Sequence, residues 1–271
     1  MAKTLTAADR SALIRLASTM VVGSPERKAV LAGLKKASGE SNIFGKHILD
    51  NAHVSGNAIV KDNAQVRGNA WVYGEAQVSG NAIVKDKAYV LDNAYVLDNA
   101  KVLGDAYVLG DAIVKDKAQV LDNAHVSGFA WVSGKAEVGG NAYVYSKAEV
   151  FGNARVYGKA VVGGNARVSD KAEVGGNAYV LGDAKVSGNA KVLDNAKVLG
   201  DAYVLGDAIV KDKVQVYDDA VVYGKAEVSG NAWVYGKAVI GGTAVILGGK
   251  WNGSEGPIMK GTWKSPTERI R

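Results

Sequence analysis

The chain has no cysteine, only 3 prolines and an aromatic content of 7%, which excludes several classes of protein. Without cysteine there is no disulfide scaffold, no thiolate metal site and no thiol nucleophile. No apolar run approaches the ~18 residues of a membrane-spanning helix, and the N-terminal residues lack the apolar core of a secretory signal. We therefore expect a protein of the cytoplasm or part of an assembly such as a virion, with no transmembrane segment.

Most of the chain also carries almost no net charge. The formal net charge is +6, but residues 46–249 hold 21 basic against 22 acidic side chains, so the basic excess lies in the two ends. A nearly neutral body does not offer the continuous positive surface that nucleic-acid phosphates require. We expect no extended nucleic-acid surface.

The abundant residues are valine, alanine and glycine, and they follow a six-residue repeat. Val or Ile stands at every sixth position from Ile48 to Ile246, and Ala precedes it by two residues from Ala52 to Ala244, except at Val214. Residues two apart point to the same face of an extended chain, and the intervening Gly-Asn or Asp-Asn pairs favour turns. Each unit therefore predicts a short strand and a corner, which become stable only when copies stack.

The repeat, seen in residues 54–59 as V-S-G-N-A-I, resembles that of the hexapeptide-repeat superfamily of left-handed parallel β-helices. The V-x-G-N-A-x form is most similar to an acyltransferase branch of unknown substrate. This resemblance implies an all-β solenoid, a left-handed parallel β-helix with three units in each 18-residue triangular coil, and hence about 11 coils. The stacked Asn residues at the corners predict hydrogen-bond ladders.

The ends of the chain depart from the repeat, which divides the chain into three segments. Residues 1–45 predict a helical hairpin that serves as a cap on the first coil or as a targeting leader, and residues 46–249 form the β-helix. Residues 250–271 predict a short C-terminal cap or tail. In this segment Trp251 and Trp263 would cover the last coil, and two prolines, Pro257 and Pro266, would end strand pairing.

Counting in eighteens sorts the outward residues onto three faces. Face one is defined by residues 53 and 55 and every eighteenth residue after each of them, and it holds most of the aromatic side chains. The predicted interface or binding strip consists of Trp71, Tyr73, Tyr89, Tyr107, Tyr143, Tyr145, Tyr179, Trp233 and Tyr235, and the same count places Tyr217 and Trp251 on face one. An apolar strip of this kind is typical of an interface.

The strip predicts a homo-oligomer, a trimer or a dimer through the aromatic face, or alternatively a protein or glycan partner. A simpler interpretation is that aromatic residues favour strands and stack on their neighbours. Residues 96–120 recur almost unchanged at 192–216, an offset that moves each side chain to the next face. This duplication favours the simpler interpretation.

Three histidines are the only candidates for imidazole chemistry. His53 and His125 lie on one line of face one but four coils apart, roughly 19 Å at ~4.8 Å per coil, and His47 lies on face three, so no metal site is predicted. The resemblance to acyltransferases makes His125 the candidate general base. These enzymes generally also have an extruded loop over the cleft, which this array lacks.

We expect a non-enzymatic structural or binding rod that acts through its faces and capped ends, such as a component of a phage or another assembly. The alternative is an acyltransferase that uses acetyl-CoA or a similar donor. The first hypothesis requires no cofactor.

Overall fold

The computed structural model describes residues 47–270, and in this range the chain is a parallel β-solenoid of about 12 turns without a helix. The all-β fold predicted from the repeat is confirmed, and the handedness is consistent with the left-handed winding implied by the resemblance. The hairpin predicted for residues 1–45 lies outside the described residues. The number of turns exceeds the predicted 11 because the segment after Gly249 forms a further turn.

Most strands contain two residues, and strands three units apart pair in parallel to give three sheets. Sheet one contains His53–Val54, Trp71–Val72, Tyr89–Val90, Tyr107–Val108, His125–Val126, Tyr143–Val144, Val161–Val162, Tyr179–Val180, Lys197–Val198, Gln215–Val216, Trp233–Val234 and Lys250–Trp251. Sheet two contains Ile59–Val60, Gln77–Val78, Tyr95–Val96, Ile113–Val114, Trp131–Val132, Glu149–Val150, Arg167–Val168, Lys185–Val186, Tyr203–Val204, Val221–Val222 and Val239–Ile240. Sheet three contains Gln65–Val66, Ile83–Val84, Lys101–Val102, Gln119–Val120, Glu137–Val138, Arg155–Val156, Glu173–Val174, Lys191–Val192, Ile209–Val210, Glu227–Val228, Val245–Ile246, Thr262–Ser265 and Glu268–Ile270.

The core is built from the valine and alanine lines that the repeat predicts. From Ala64 to Ala232 every residue on these lines is fully buried, including Val214, which replaces alanine. The strands are held by hydrogen bonds between successive coils, such as that from the His53 N–H to the Ala70 carbonyl at 2.8 Å. Because each coil repeats the same small side chains, the interior is narrow and every turn packs on the next.

The corners have a left-handed backbone, which explains why glycine or aspartate occupies them. Asp92 has φ of 61°, and its Oδ2 accepts a hydrogen bond from the Gly110 N–H one coil further on, at 3.1 Å. At the next position amides stack as predicted: Asn63 donates to Asn81 at 3.3 Å and Asn81 donates to Asn99 at 3.2 Å. These side chains satisfy polar groups that the strand ladder leaves at the turns.

The C-terminal segment continues the solenoid as an additional coil with larger side chains. Trp251 pairs with Val234 and Trp263 pairs with Ile246, so both indoles lie on lines that valine or isoleucine occupies in earlier coils. The placement of Trp251 on face one was wrong. The unit after Ile246 is one residue shorter than the others, and a shift of one residue turns a strand side chain from the outer to the inner face.

Strand pairing also continues beyond the two prolines that were predicted to end it. Ile258 forms a parallel bridge with Ile240, although it directly follows Pro257. Thr262–Ser265 pairs in parallel with Val245–Ile246 and antiparallel with Glu268–Ile270, with Pro266 in the turn between the two C-terminal strands. Both prolines lie outside the paired positions, so their missing N–H groups cost no ladder hydrogen bond.

Candidate binding face

All nine residues of the predicted strip lie on sheet one or immediately after one of its strands. Residues on the line through position 53 precede an inward valine, and residues on the line through position 55 follow it, so both lines point outward. Trp71, Tyr73, Tyr143, Tyr145, Tyr179 and Trp233 are exposed, whereas Tyr89, Tyr107 and Tyr235 are half-buried by their neighbours. Face one therefore corresponds to the outer surface of sheet one.

Four rings of successive coils form a continuous stack in the middle of this face. The ring centroids of Tyr89 and Tyr107, of Tyr107 and His125, and of His125 and Tyr143 are each 4.7 Å apart, with planes within 10° of parallel. A second stack joins His53 and Trp71 at 4.4 Å. The ring spacing follows the distance between adjacent strands, so the solenoid brings these rings to stacking distance.

His125, the candidate general base, is the third member of the stack. Desolvation by partial burial lowers the pKa of its imidazole, so the neutral ring is favoured. In residues 47–270 no hydrogen bond to either ring nitrogen of His125 orients it as a base. Its contacts are the two flanking tyrosine rings, and these favour a packing role in the face.

The other two histidines make local contacts. The His47 Nδ1 lies 2.9 Å from the Ala64 carbonyl oxygen and is buried, and the His53 Nδ1 lies 2.7 Å from the Asn51 carbonyl oxygen. Within residues 47–270 no three His, Asp or Glu side chains lie close enough together to share a metal ion. In the same range there is no helix that could cross a membrane.

A group of leucines outside the predicted strip completes the apolar surface. Leu91, Leu109, Leu181 and Leu199 lie on the line through position 55, between the tyrosines, and are half-buried. Counting in eighteens places these leucines on the line as readily as the tyrosines, but the predicted strip was restricted to aromatic residues. The binding face therefore comprises aliphatic as well as aromatic side chains.

A tyrosine and a glycine of successive coils form a matched pair on this face. The Tyr145 ring covers Gly163, where a Cβ atom would overlap the ring, and Tyr157 covers Gly175 and Tyr223 covers Gly241 in the same way on the other two faces. Gly163 lacks a positive φ, so its backbone would accept other residues. The glycine thus allows the Tyr145 ring to lie over the next coil, whereas Tyr73, which Leu91 follows on the same line, is more exposed.

We expect Gly163→Leu, which copies Leu91 and Leu181 of the same line, to destabilise the protein by no more than about 1 kcal/mol, because the exposed Tyr145 ring must turn outward to make room. Adding Tyr145→Ser, which copies Ser127, should restore most of the loss because it removes the obstructing ring. Urea unfolding of both single variants and the double variant measures this coupling. Additive effects of the two substitutions would contradict the pairing.

The comparison with protein families gives one local match. The model described as YdcK Beta solenoid repeat matches residues 148–164, which is less than one coil. This match and the fold support a β-helix family, and the acyltransferase branch stays a hypothesis. A comparison with curated proteins gives no match.

Proposed function

We propose that this protein is a non-enzymatic rod that acts by binding, and that a second copy of the chain covers face one. The observation that supports the proposal is the absence of charge from the first eight coils of this face, up to the exposed Lys197. On sheet one, neither outward line carries Lys, Arg, Asp or Glu from His53 to Leu181. Over the same coils sheet two carries Glu149 and Arg167, whose side chains form an ion pair at 2.9 Å.

Sheet three, like sheet two, differs from face one in that its outward side chains include ion pairs. Glu137 and Arg155 lie 3.9 Å apart on adjacent strands, and Glu173 and Lys191 lie 3.6 Å apart. Exposed ion pairs of this kind contribute little stability but keep a surface hydrated. An uncharged face with exposed indole and phenol rings is costly to leave in water, so contact with another polypeptide stabilises it.

A second copy is the partner that best fits a straight, regular rod. A copy presents a strip of the same length, and a closed symmetric assembly covers every strip without leaving one free. Because the rings are already fixed by the stack, little side-chain entropy is lost on association. A trimer or a dimer through face one would make the chain a structural part of an assembly.

We expect the triple variant Tyr89→Lys, Tyr107→Lys and Tyr143→Lys to weaken this assembly while the coils stay folded. The three side chains point outward. Lysines at Tyr89 and Tyr107 place like charges on adjacent coils, ~4.8 Å apart, and the lysine at Tyr143 lies two coils further on. Light scattering on the full-length chain should show an oligomer for the wild type and a shift towards monomer for the variant.

The matched control places three lysines on sheet three, at Gln65, Ile83 and Gln119, which hold the same outward position in their strands and the same spacing as Tyr89, Tyr107 and Tyr143. It should keep the oligomer of the wild type. An unchanged oligomer in the face-one variant, or a wild-type chain that is monomeric at all concentrations, would refute the role of face one in self-association.

The same preparation tests the enzymatic alternative. An acyltransferase should be stabilised against heat by acetyl-CoA, because a ligand that binds only the folded state raises Tm. It should also lose roughly 10²–10⁴-fold in rate on His125→Gln, as expected for the loss of a general base. We expect neither effect, and acyl transfer dependent on His125 would replace the binding proposal with the enzymatic one.

A further inference from the structure

A groove outside face one runs along the corner between sheets one and two. It is shallow, has a volume of about 400 Å³, and extends over the first four coils. Two lines of side chains form its walls, each advancing one coil every eighteen residues. The corner line contributes Asn57, Glu75, Asn93 and Asp111, and the outward line of sheet two contributes Ile59, Gln77 and Tyr95.

The lining of this groove combines amides and carboxylates with an aromatic ring. The Asn93 Nδ2 donates a hydrogen bond to the Asp111 Oδ1 at 3.1 Å, which fixes both groups in adjacent coils. No Lys or Arg lines the groove. Two carboxylates without a cation disfavour phosphates, nucleic acids and other anions. Amides and carboxylates together provide fixed donors and acceptors for a hydroxyl-rich ligand.

The corner line then departs from the repeat at Phe129, one coil beyond Asp111. Every other residue at this corner position from Asn51 to Thr243 is Asn, Asp, Lys, Glu or Thr. The Phe129 N–H still donates to the Ser146 carbonyl at 2.7 Å, as polar residues do at other corners. The corner therefore does not require the ring. Phe129 is nevertheless 64% exposed, the highest value among the large apolar side chains of the described residues.

The outward line of sheet two also carries an exposed aromatic residue in the same coil as Phe129. Trp131 pairs with Ile113 in sheet two, which in turn pairs with Tyr95 of the groove wall. The Lys115 Nζ lies over the Trp131 ring, 4.8 Å from its centroid, and Trp131 is exposed. The two lines that form the polar groove thus both continue into exposed aromatic side chains.

We propose that this groove binds a neutral glycan chain. The amides and carboxylates of the corner line bind sugar hydroxyls, and the rings of Tyr95 and Phe129 contact the apolar faces of the sugar rings, whereas Lys115 covers the ring of Trp131. The combination of a few fixed polar groups with aromatic walls is typical of ligand sites. The site shares no residue with the strip on face one, and the proposal does not depend on self-association.

The test uses the full-length chain and named soluble probes. The neutral probes are cellohexaose, maltohexaose, chitohexaose and mannohexaose, and the charged probes are hyaluronan and a hexalysine peptide. Isothermal titration calorimetry should detect binding of at least one neutral probe. Because no ion pair is formed with a neutral sugar, this affinity should stay unchanged as salt is raised. Hyaluronan should not bind.

Two variants restore the ordinary residue of the repeat and so leave the corner and the strand intact. Phe129→Asn copies Asn93 of the same line, and Tyr95→Gln copies Gln77. Each should lower the affinity for the bound glycan at least about tenfold, as expected for removal of an aromatic anchor. Two control variants, Tyr73→Ser on face one and Asp105→Asn on the corner between sheets three and one, should bind as the wild type does.

Three results would overturn the proposal. The first is that none of the neutral probes binds, and the second is that hexalysine alone binds, in a salt-sensitive way, which would make the groove a site for a cationic peptide. The third is that Phe129→Asn and Tyr95→Gln bind as tightly as the wild type. Equal Tm values for all variants exclude unfolding as the cause of a lost affinity.

Discussion

We expect Val144→Asp to prevent folding of the solenoid. Val144 is fully buried in the middle of sheet one, and Val126 and Val162 flank it in the adjacent coils. Its surroundings are the valine and alanine lines, which offer no donor or cation to a carboxylate. An unpaired charge in such an interior costs more than the few kcal/mol that separate folded from unfolded protein.

Circular dichroism and the soluble yield of Val144→Asp measure this result, with Tyr143→Asp as the matched control. Tyr143 is the adjacent residue and points outward, so the same charge there should leave the coils folded. Val144→Ala should unfold in urea with a loss of roughly 1–3 kcal/mol, because it removes buried methyl groups and leaves a gap. A soluble Val144→Asp protein with normal melting would contradict the inward orientation of the valine line.

The solenoid could be predicted from the sequence because the same pattern of residues recurs in every unit. One hexapeptide is too short to distinguish a strand from a turn, but the Val and Ala positions recur in register from Ala52 to Ile246. A side-chain period of two within the unit then fixes which residues face inward. The core follows from this register, whereas the three sheets and the position of each outward line follow from the 18-residue coil that the resemblance implies.

Where the repeat ended, the six-residue register no longer predicted which side chains point inward. Nothing in the residues Leu247, Gly248 and Gly249 shows that the corner is one residue shorter, and only the burial of a large indole decides the pairing that the chain adopts. The placement of Trp251 was therefore wrong although the count was right for every earlier coil. Similarly, strand rules for proline do not predict whether its nitrogen falls on a paired position.

The candidate sites could not be predicted in full from the sequence, for a different reason. Counting in eighteens brings His125 between Tyr107 and Tyr143, but whether rings stack or diverge depends on rotamers that the sequence does not determine. The groove beside Glu75 and Asp111 depends on how far the side chains of the corner line and of the outward line of sheet two project from the solenoid. A surface of this kind becomes visible only when side chains of consecutive coils are placed together.

The second large effect is expected at the C-terminal end of the rod. Trp251 is 1% exposed, its Nε1 donates to the Gly248 carbonyl at 2.8 Å, and its ring meets Trp263 edge-on at a centroid distance of 6.0 Å. The indole covers the last valines of sheet one, which would otherwise face water. A capping coil with larger side chains protects the open end of a solenoid from pairing with other chains.

We expect Trp251→Ala to destabilise the last coils by roughly 3–5 kcal/mol, the usual loss for a buried aromatic side chain. The Tyr235 N–H, which donates to the Trp251 carbonyl at 2.8 Å, and the Trp233 N–H, which donates to the Gly249 carbonyl at 2.8 Å, should lose protection from hydrogen exchange. Amides near Val144 should keep theirs, because coils of a solenoid interact mainly with their neighbours.

The control is Trp233→Gln, which removes an outward indole from the same sheet and copies Gln215 of the same line. It should change stability by no more than about 0.5 kcal/mol, as is usual for a surface substitution. Trp251→Ala should in addition form end-to-end aggregates, because sheet edges are then uncovered at one end. Wild-type exchange rates at Trp233 and Tyr235 in Trp251→Ala would mean that the indole does not hold the terminal coil, and the hairpin of Thr262–Ser265 with Glu268–Ile270 would then be the element that closes the rod.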